Sequence, residues 1–186
     1  MRILALDTST PTTSCAILDE ERVLREQLIE PPARAGDVLP AAFGDLAGVG
    51  AVAVGVGPGS FTGLRVGLAA AKAIAYALRL PIAGVSSLQA LAHGQEGLVY
   101  AATEARRGEL FVQPFLDGAP RAPVQVIMAA DLRLPPGARL LLGPPRAAAV
   151  GRLCLPRLRG ASYDASACFA LAPDYVQGFP ARGGVR

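Results

Sequence analysis

Few side chains in this sequence are of the types that do chemistry, and their spacing withholds most reactions. The glycine-rich segment Gly55-x-Gly57-x-Gly59 invites a nucleotide reading. A phosphate-binding loop needs Lys-Ser/Thr directly after its last glycine, whereas Gly63 is followed by Leu64-Arg65. A dinucleotide fingerprint needs a further glycine three residues after its second and an acid roughly 20 residues on. Here no acid lies between Asp45 and Glu96. Ser60 is not in a nucleophile elbow, because Pro58 holds the first glycine position. His93 is the single histidine, so the paired histidines of a metalloprotease are missing. Asp7 and Asp19 end neighbouring strand-like runs, and no acid of the second half clearly faces them. Asp7-Thr8-Ser9-Thr10 keeps two readings. An aspartate ending a first strand, followed by hydroxyls, can hold a metal and phosphates. The same residues make an ordinary Asx/ST turn that closes a hairpin.

The elements around these residues follow from periodicity and punctuation. Residues 2–7, 15–19 and the run after Arg22 read as three strands of an antiparallel meander. Asp37 can cap a helix from Val38 to Leu46. Residues 49–56, VGAVAVGV, are apolar throughout, as a strand buried on both faces is. Gly57, Pro58 and Gly59 then break the strand, with Gly63 in the same turn region. Ser60 caps a helix that Pro81 stops. At about 100° per residue, Thr62, Arg65, Lys72, Tyr76 and Arg79 share one arc. The remaining surface is apolar and wider than one sheet face requires, so it covers its own sheet and something else. Residues 82–86 read as a strand and Ser87 as the cap of a helix through His93. Residues 98–103 and 109–115 make a hairpin, and weaker strands fall at 124–128 and 139–142. The boundary between halves lies near 94–97.

Composition narrows the class. The chain has 186 residues, 52% hydrophobic, with a formal net charge of +3, which favours a packed core over disorder. Lys72 is the only lysine, and Arg152, Arg157 and Arg159 form only a loose cluster, so a mildly basic protein fits better than a nucleic-acid-binding face. Cys15, Cys154 and Cys168 are odd in number and far apart, which fits free thiols in a reducing cytoplasm. No signal-peptide apolar region fits before Asp7, and the apolar stretch near Val66–Leu80 is broken by Lys72 and Arg79, so no membrane segment is expected.

Three stretches, ILALDTST, GVGPGSFTGLRVGLAAAKAIAYAL and ATEARRGELFVQPF, closely resemble the TsaB (YeaZ) family, paralogues of the threonylcarbamoyltransferase subunit TsaD. The resemblance covers residues 1–116 and weakens through the proline-rich tail. It implies an actin-like ATPase (ASKHA, ribonuclease H-like) α/β fold of two subdomains with mixed sheets: residues 1–95, carrying the partner-binding helices, and a smaller 96–186. It implies no cofactor and no catalysis by this chain, with Asp7, Thr8 and Ser9 as vestigial phosphate-loop positions. Members bind TsaD and, with TsaE, support transfer of threonylcarbamoyl to the adenosine next to the anticodon of ANN-decoding tRNAs, so tRNA is met through the complex. The family contact uses the two helices of the first subdomain. That puts the expected interface on Val38, Ala41, Ala42, Phe61, Leu64, Leu68, Ala71 and Tyr76, with Arg65 and Lys72 at its rim. This chain is short for the family, and the missing length is expected in the second subdomain. A histidine expected before the first helix is absent. Two other readings stay open: a small actin-like ATPase or peptidase, and a homodimer that pairs through the same helices.

Overall fold

The strand β1 (Arg2–Asp7) alternates its side chains between two different cores, and the rest of the fold follows from that. Ile3 and Ala5 point to one face of the sheet, Leu4 and Leu6 to the other, and all four are fully buried. β4 (Val49–Gly55) does the same, with Ala51 and Ala53 on the first face and Val52 and Val54 on the second. A strand buried on both faces needs a layer of helices on each side.

The computed structural model describes residues 1–31 and 33–176. β1, β2 (Thr13–Asp19) and β3 (Arg22–Ile29) form the antiparallel meander. β4 and β5 (Ile82–Val85) add in parallel, which gives the order β3-β2-β1-β4-β5. One face is covered by α1 (Ala35–Phe43) and α2 (Phe61–Leu78). A second mixed sheet has the order β10-β6-β7-β8, built from β6 (Leu98–Glu104), β7 (Glu109–Leu116), β8 (Ala119–Pro120) and β10 (Arg139–Leu142). β9 (Gln125–Met128) pairs with β7, and β10 runs parallel to β6. α3 (Ser87–Ala92) packs on this sheet, with Leu88 and Ala92 against Val99, Ala101, Phe111 and Phe115. These are the two mixed sheets of an actin-like α/β fold.

The other face of the first sheet is covered from the far end of the chain. α4 (Ala147–Leu158) lies across β1, β2, β4 and β5, and Val150, Cys154 and Leu158 enter the same core as Ile3 and Ala53. The small side chains there let it approach: a Cβ on Gly151 would stand 2.6 Å from Leu18 Cδ1. α5 (Ala165–Ala170) then packs on α2. The sheets divide near residue 95, but the first layered unit is completed by residues beyond 146. Residues 177–186 of the expected second subdomain lie outside the described residues.

Several element ends differ from the sequence reading, each for a local reason. α1 begins at Ala35, so Asp37 sits in its first turn, where its charge favours the helix dipole, instead of at the cap. It ends before Gly44, whose φ of +59 suits glycine, and not at Leu46. α2 starts after Ser60 as expected, and the Ser60 hydroxyl accepts from Gly63 N–H at 3.2 Å. It closes at Leu78 because Arg79 turns left-handed and returns its N–H to Ala75 and Tyr76, two residues before Pro81. α3 is capped by Ser86, not Ser87, since the Ser87 hydroxyl is turned inward to Asp7. By length and composition α2 could cross a membrane, yet Leu64, Gly67, Leu68, Ala71 and Ala75 pack one side of it onto its own sheet.

Candidate functional site

Asp7 is the centre of a closed node. Its carboxylate is 1% exposed. Oδ1 accepts from Ser9 N–H at 2.8 Å and from the Ser9 hydroxyl at 2.6 Å, and Oδ2 accepts from the Ser87 hydroxyl at 2.6 Å. Burial holds its carboxyl above the ordinary aspartate range, against the opposing pull of the Ser87 and Ser9 hydrogen bonds. The Ser87 hydroxyl also accepts from Gly57 N–H, and Ser87 N–H donates to Gly57 O, so one serine ties the β1, β4 and β5 ends together.

The glycine-rich turn serves the same node. Ser60 N–H donates to Ser9 O at 2.7 Å, and the Thr8 hydroxyl donates to Gly63 O at 2.8 Å. A Cβ on Gly59 would stand 2.2 Å from Ser9 O, and one on Gly63 2.1 Å from Thr8 O. Gly57 has φ +108, and its peptide bond to Pro58 is cis. Gly59 lets the loop after β4 touch the loop after β1, and Gly63, expected in the turn but placed in the first turn of α2, lets that helix start touch it too. Asp7, Thr8 and Ser9, expected at a vestigial phosphate loop, are brought together, but their side chains are buried and spent on the chain itself. The turn reading therefore describes them.

The remaining chemical candidates are dispersed. His93 sits half-buried at the C-cap of α3. Burial lowers its pKa, as does Arg152, with Glu21 opposing. Cys15 and Cys154 are buried thiols pushed up to about 11, chiefly by desolvation, and are inert as nucleophiles. Among the described residues no cluster of His, Cys, Asp or Glu could hold a metal.

The expected helix interface is split by the packing. Ala42, Leu64, Leu68 and Ala71 belong to the chain's own core, with Leu64 1% exposed, and cannot meet a partner. Their positions on the apolar side of the wheel are the ones the sheet takes. Phe61, Arg65, Tyr76 and Ala41 are exposed, while Val38 and Lys72 are half-buried. Tyr76 at 57% and Phe61 at 47% flank a small-residue face of Ala69, Ala73 and Ala77. Sequence reading missed a second contributor, the segment 165–176. Phe169 stands 5.6 Å from Tyr76 and Tyr175 5.3 Å from Phe61, ring centre to ring centre. Lys72 Nζ donates to Phe169 O, Arg65 Nε donates to the Tyr175 hydroxyl, and the Arg65 guanidinium lies 3.9 Å over the Phe61 ring.

A cleft of about 680 Å³ opens between the two sheets, bounded by the loops after β1, β4, β6 and β10. Its lining is mostly apolar and includes Phe61, Phe111 and Tyr175, and its charged side chains are Glu104, Arg106 and Asp174.

Comparisons with known proteins agree on one family. The family model of TsaD, tRNA N6-adenosine threonylcarbamoyltransferase, matches residues 38–121. An uncharacterised protein of Mycobacterium tuberculosis is 36% identical over 163 residues, covering 82% of this chain and 77% of that protein. The tRNA threonylcarbamoyladenosine biosynthesis protein TsaB of Escherichia coli is 37% identical over 123 residues, covering 60% of this chain and 53% of that protein. The chain thus matches about half the length of the TsaB proteins. YeaZ from Pseudomonas aeruginosa superposes with a TM-score of 0.70 at 26% identity, over 94% of this chain and 99% of that one, so both sheets have counterparts there.

Proposed function

The chain belongs to the TsaB/YeaZ family, and from that premise we propose that it is a non-catalytic subunit of the cytoplasmic machinery that makes tRNA threonylcarbamoyladenosine. In this reading it docks a TsaD partner through the outward face of α2, beside α1, and so supports threonylcarbamoyl transfer to the adenosine next to the anticodon. TsaE joins in the larger complex, and tRNA is engaged by the assembly.

One observation carries the docking reading. Phe61, Tyr76 and Leu78 stand out from α2 beside Ala69, Ala73 and Ala77, so an apolar helix side faces solvent after the sheet has taken its share. Alanines at that spacing let another helix come close, and large aromatics at the ends are the anchors interfaces favour. The non-catalytic part rests on Asp7, whose carboxylate is sealed and fully engaged.

Capture of TsaD by the wild type and by Ala73→Glu and Tyr76→Ala tests this. Ala73→Glu puts a charge at the centre of the exposed face without entering the core, so it should abolish capture while unfolding at the wild-type temperature. Tyr76→Ala should weaken capture by tenfold or more, the scale of an interface anchor. Full capture by both variants removes α2 as the docking face. Calorimetry with ATP and magnesium addresses the enzyme reading: micromolar binding by the lone chain would favour it over the subunit role.

A further inference from the structure

The exposed aromatics of this chain are not scattered. Among the described residues, the phenylalanines and tyrosines that stand exposed are Phe61, Tyr76, Phe169 and Tyr175. All four sit on α2: two belong to the helix, and two are laid against it as the Tyr76–Phe169 and Phe61–Tyr175 pairs. The segment that bears the second two is anchored. Cys168 is fully buried in the core that α2 shares with its sheet, and Asp174 N–H donates to Val56 O at 2.7 Å. Phe169, 65% exposed, is therefore held outward on a fixed element. An exposed cluster of large rings marks an interaction surface, and aromatic and arginine side chains are what such surfaces favour.

Charge defines what can cover this patch. Arg65 and Lys72 on α2 and Arg79 at its C-cap stand seven residues apart, a row about 21 Å long. The row borders a strip with the 4-3-4-3 spacing of a coiled-coil seam: Thr62, Val66, Ala69, Ala73 and Tyr76. The three cations thus hold the position that sets partner choice between paired helices. Arg65 leans on the Phe61 ring and the Tyr175 hydroxyl, and Lys72 on Phe169 O, so the segment 165–176 fixes two of the heads beside the seam. None of these contacts is a carboxylate, and among the described residues none of the three cations is in an ion pair. α2 has no acid and α1 has only Asp37, so a second copy on the same face would bring three more cations against this row. We infer, on the docking reading above, that Arg65, Lys72 and Arg79 select a TsaD helix with carboxylates along its facing edge over a second copy of this chain, and that Phe169 and Tyr175 form one wall of its seat.

Titration of the full chain with TsaD, beside sedimentation of the chain alone, tests the assignment. The wild type should bind TsaD more tightly than it binds itself. Raising salt from about 0.05 M to about 0.5 M should weaken TsaD binding about tenfold or more, because the charges are screened. Arg65→Gln with Lys72→Gln keeps a donor for Tyr175 and Phe169 and removes both charges. It should weaken TsaD binding about tenfold, reduce the salt dependence and strengthen self-association, with the melting temperature unchanged. Phe169→Ala, on the surface, leaves α2 untouched and should also weaken TsaD binding about tenfold. The proposal is overturned by unchanged TsaD affinity in either variant, by salt-independent binding, or by a wild type that pairs with itself as tightly as with TsaD. If Ala73→Glu loses capture while the other variants keep wild-type affinity, α2 still docks TsaD and only the selection by charge and wall falls. If the wild type binds no TsaD, the docking reading falls with it.

Discussion

At the scale of single residues, Asp7 decides how the start of the chain behaves. Three donors converge on it, the Ser9 N–H, the Ser9 hydroxyl and the Ser87 hydroxyl. Asp7→Ala strands all three in the interior and should lower stability by about 2 kcal/mol or more, measured by urea unfolding. Asp7→Asn keeps an acceptor for Ser9 and offers a donor to Ser87, so it should fold. The pH dependence separates the two forms. The folded carboxyl is raised above its ordinary value by burial, so its favourable contribution is complete below about pH 4, the range of the unfolded aspartate, and falls as pH rises through the folded value. Asp7→Asn removes that decline. Its stability relative to wild type should therefore improve from pH 4 towards neutrality, and a constant difference across that range would refute the assignment. The sequence offered both a phosphate reading and a turn reading for these residues. It could not choose, because the choice rests on Ser87, 80 positions away. Gly63 shows the same limit: the sequence reading put it in the glycine turn, whereas it lies in the first turn of α2, against the Thr8 carbonyl, and neither that helical place nor that carbonyl was legible. Gly63→Ala should cost about 1–3 kcal/mol by overpacking against backbone.

At the scale of elements, α2 carries two jobs on two sides. Its capping serine and its surplus of apolar circumference were readable from spacing alone, since both are local properties of the helix. Which apolar residues face inward was not, because the wheel gives an angle but not the direction of the sheet. Leu64 and Leu68, put on the expected interface by the family resemblance, are core residues. Leu64→Asp and Leu68→Asp should therefore unfold the chain by burying an unpaired charge, and circular dichroism would report lost helix. If either variant stays folded and loses only TsaD capture, the inward orientation of α2 is wrong. Part of the surplus is also taken by α5, a helix of six residues too short to leave a periodic signal.

At the scale of the whole molecule, the chain closes on itself. β1 and β4 read as strands buried on both faces, and that demand for two helical layers was legible. The sequence reading supplied only one of them, α1 with α2. The second, α4, arrives about ninety residues after β4, contains Pro156, and has arginines at 152 and 157, so it hides in a stretch rich in helix breakers and charge. Nothing local marks Val150, Cys154 and Leu158 as partners of Ile3 and Ala53; only the returning chain joins them. The consequence is physical. A fragment of residues 1–95 would carry the complete five-stranded sheet yet leave Ile3, Ala5, Ala16, Leu18, Ala51 and Ala53 open to water. Burial of such side chains dominates the stability of a small domain. The fragment should therefore show no cooperative unfolding transition and should bind a hydrophobic dye. Adding a peptide of residues 145–160 in trans should restore a transition, because it supplies the missing layer. Cooperative unfolding of the fragment alone would mean that the first sheet holds without its far-end cover, and that the two halves are independent after all.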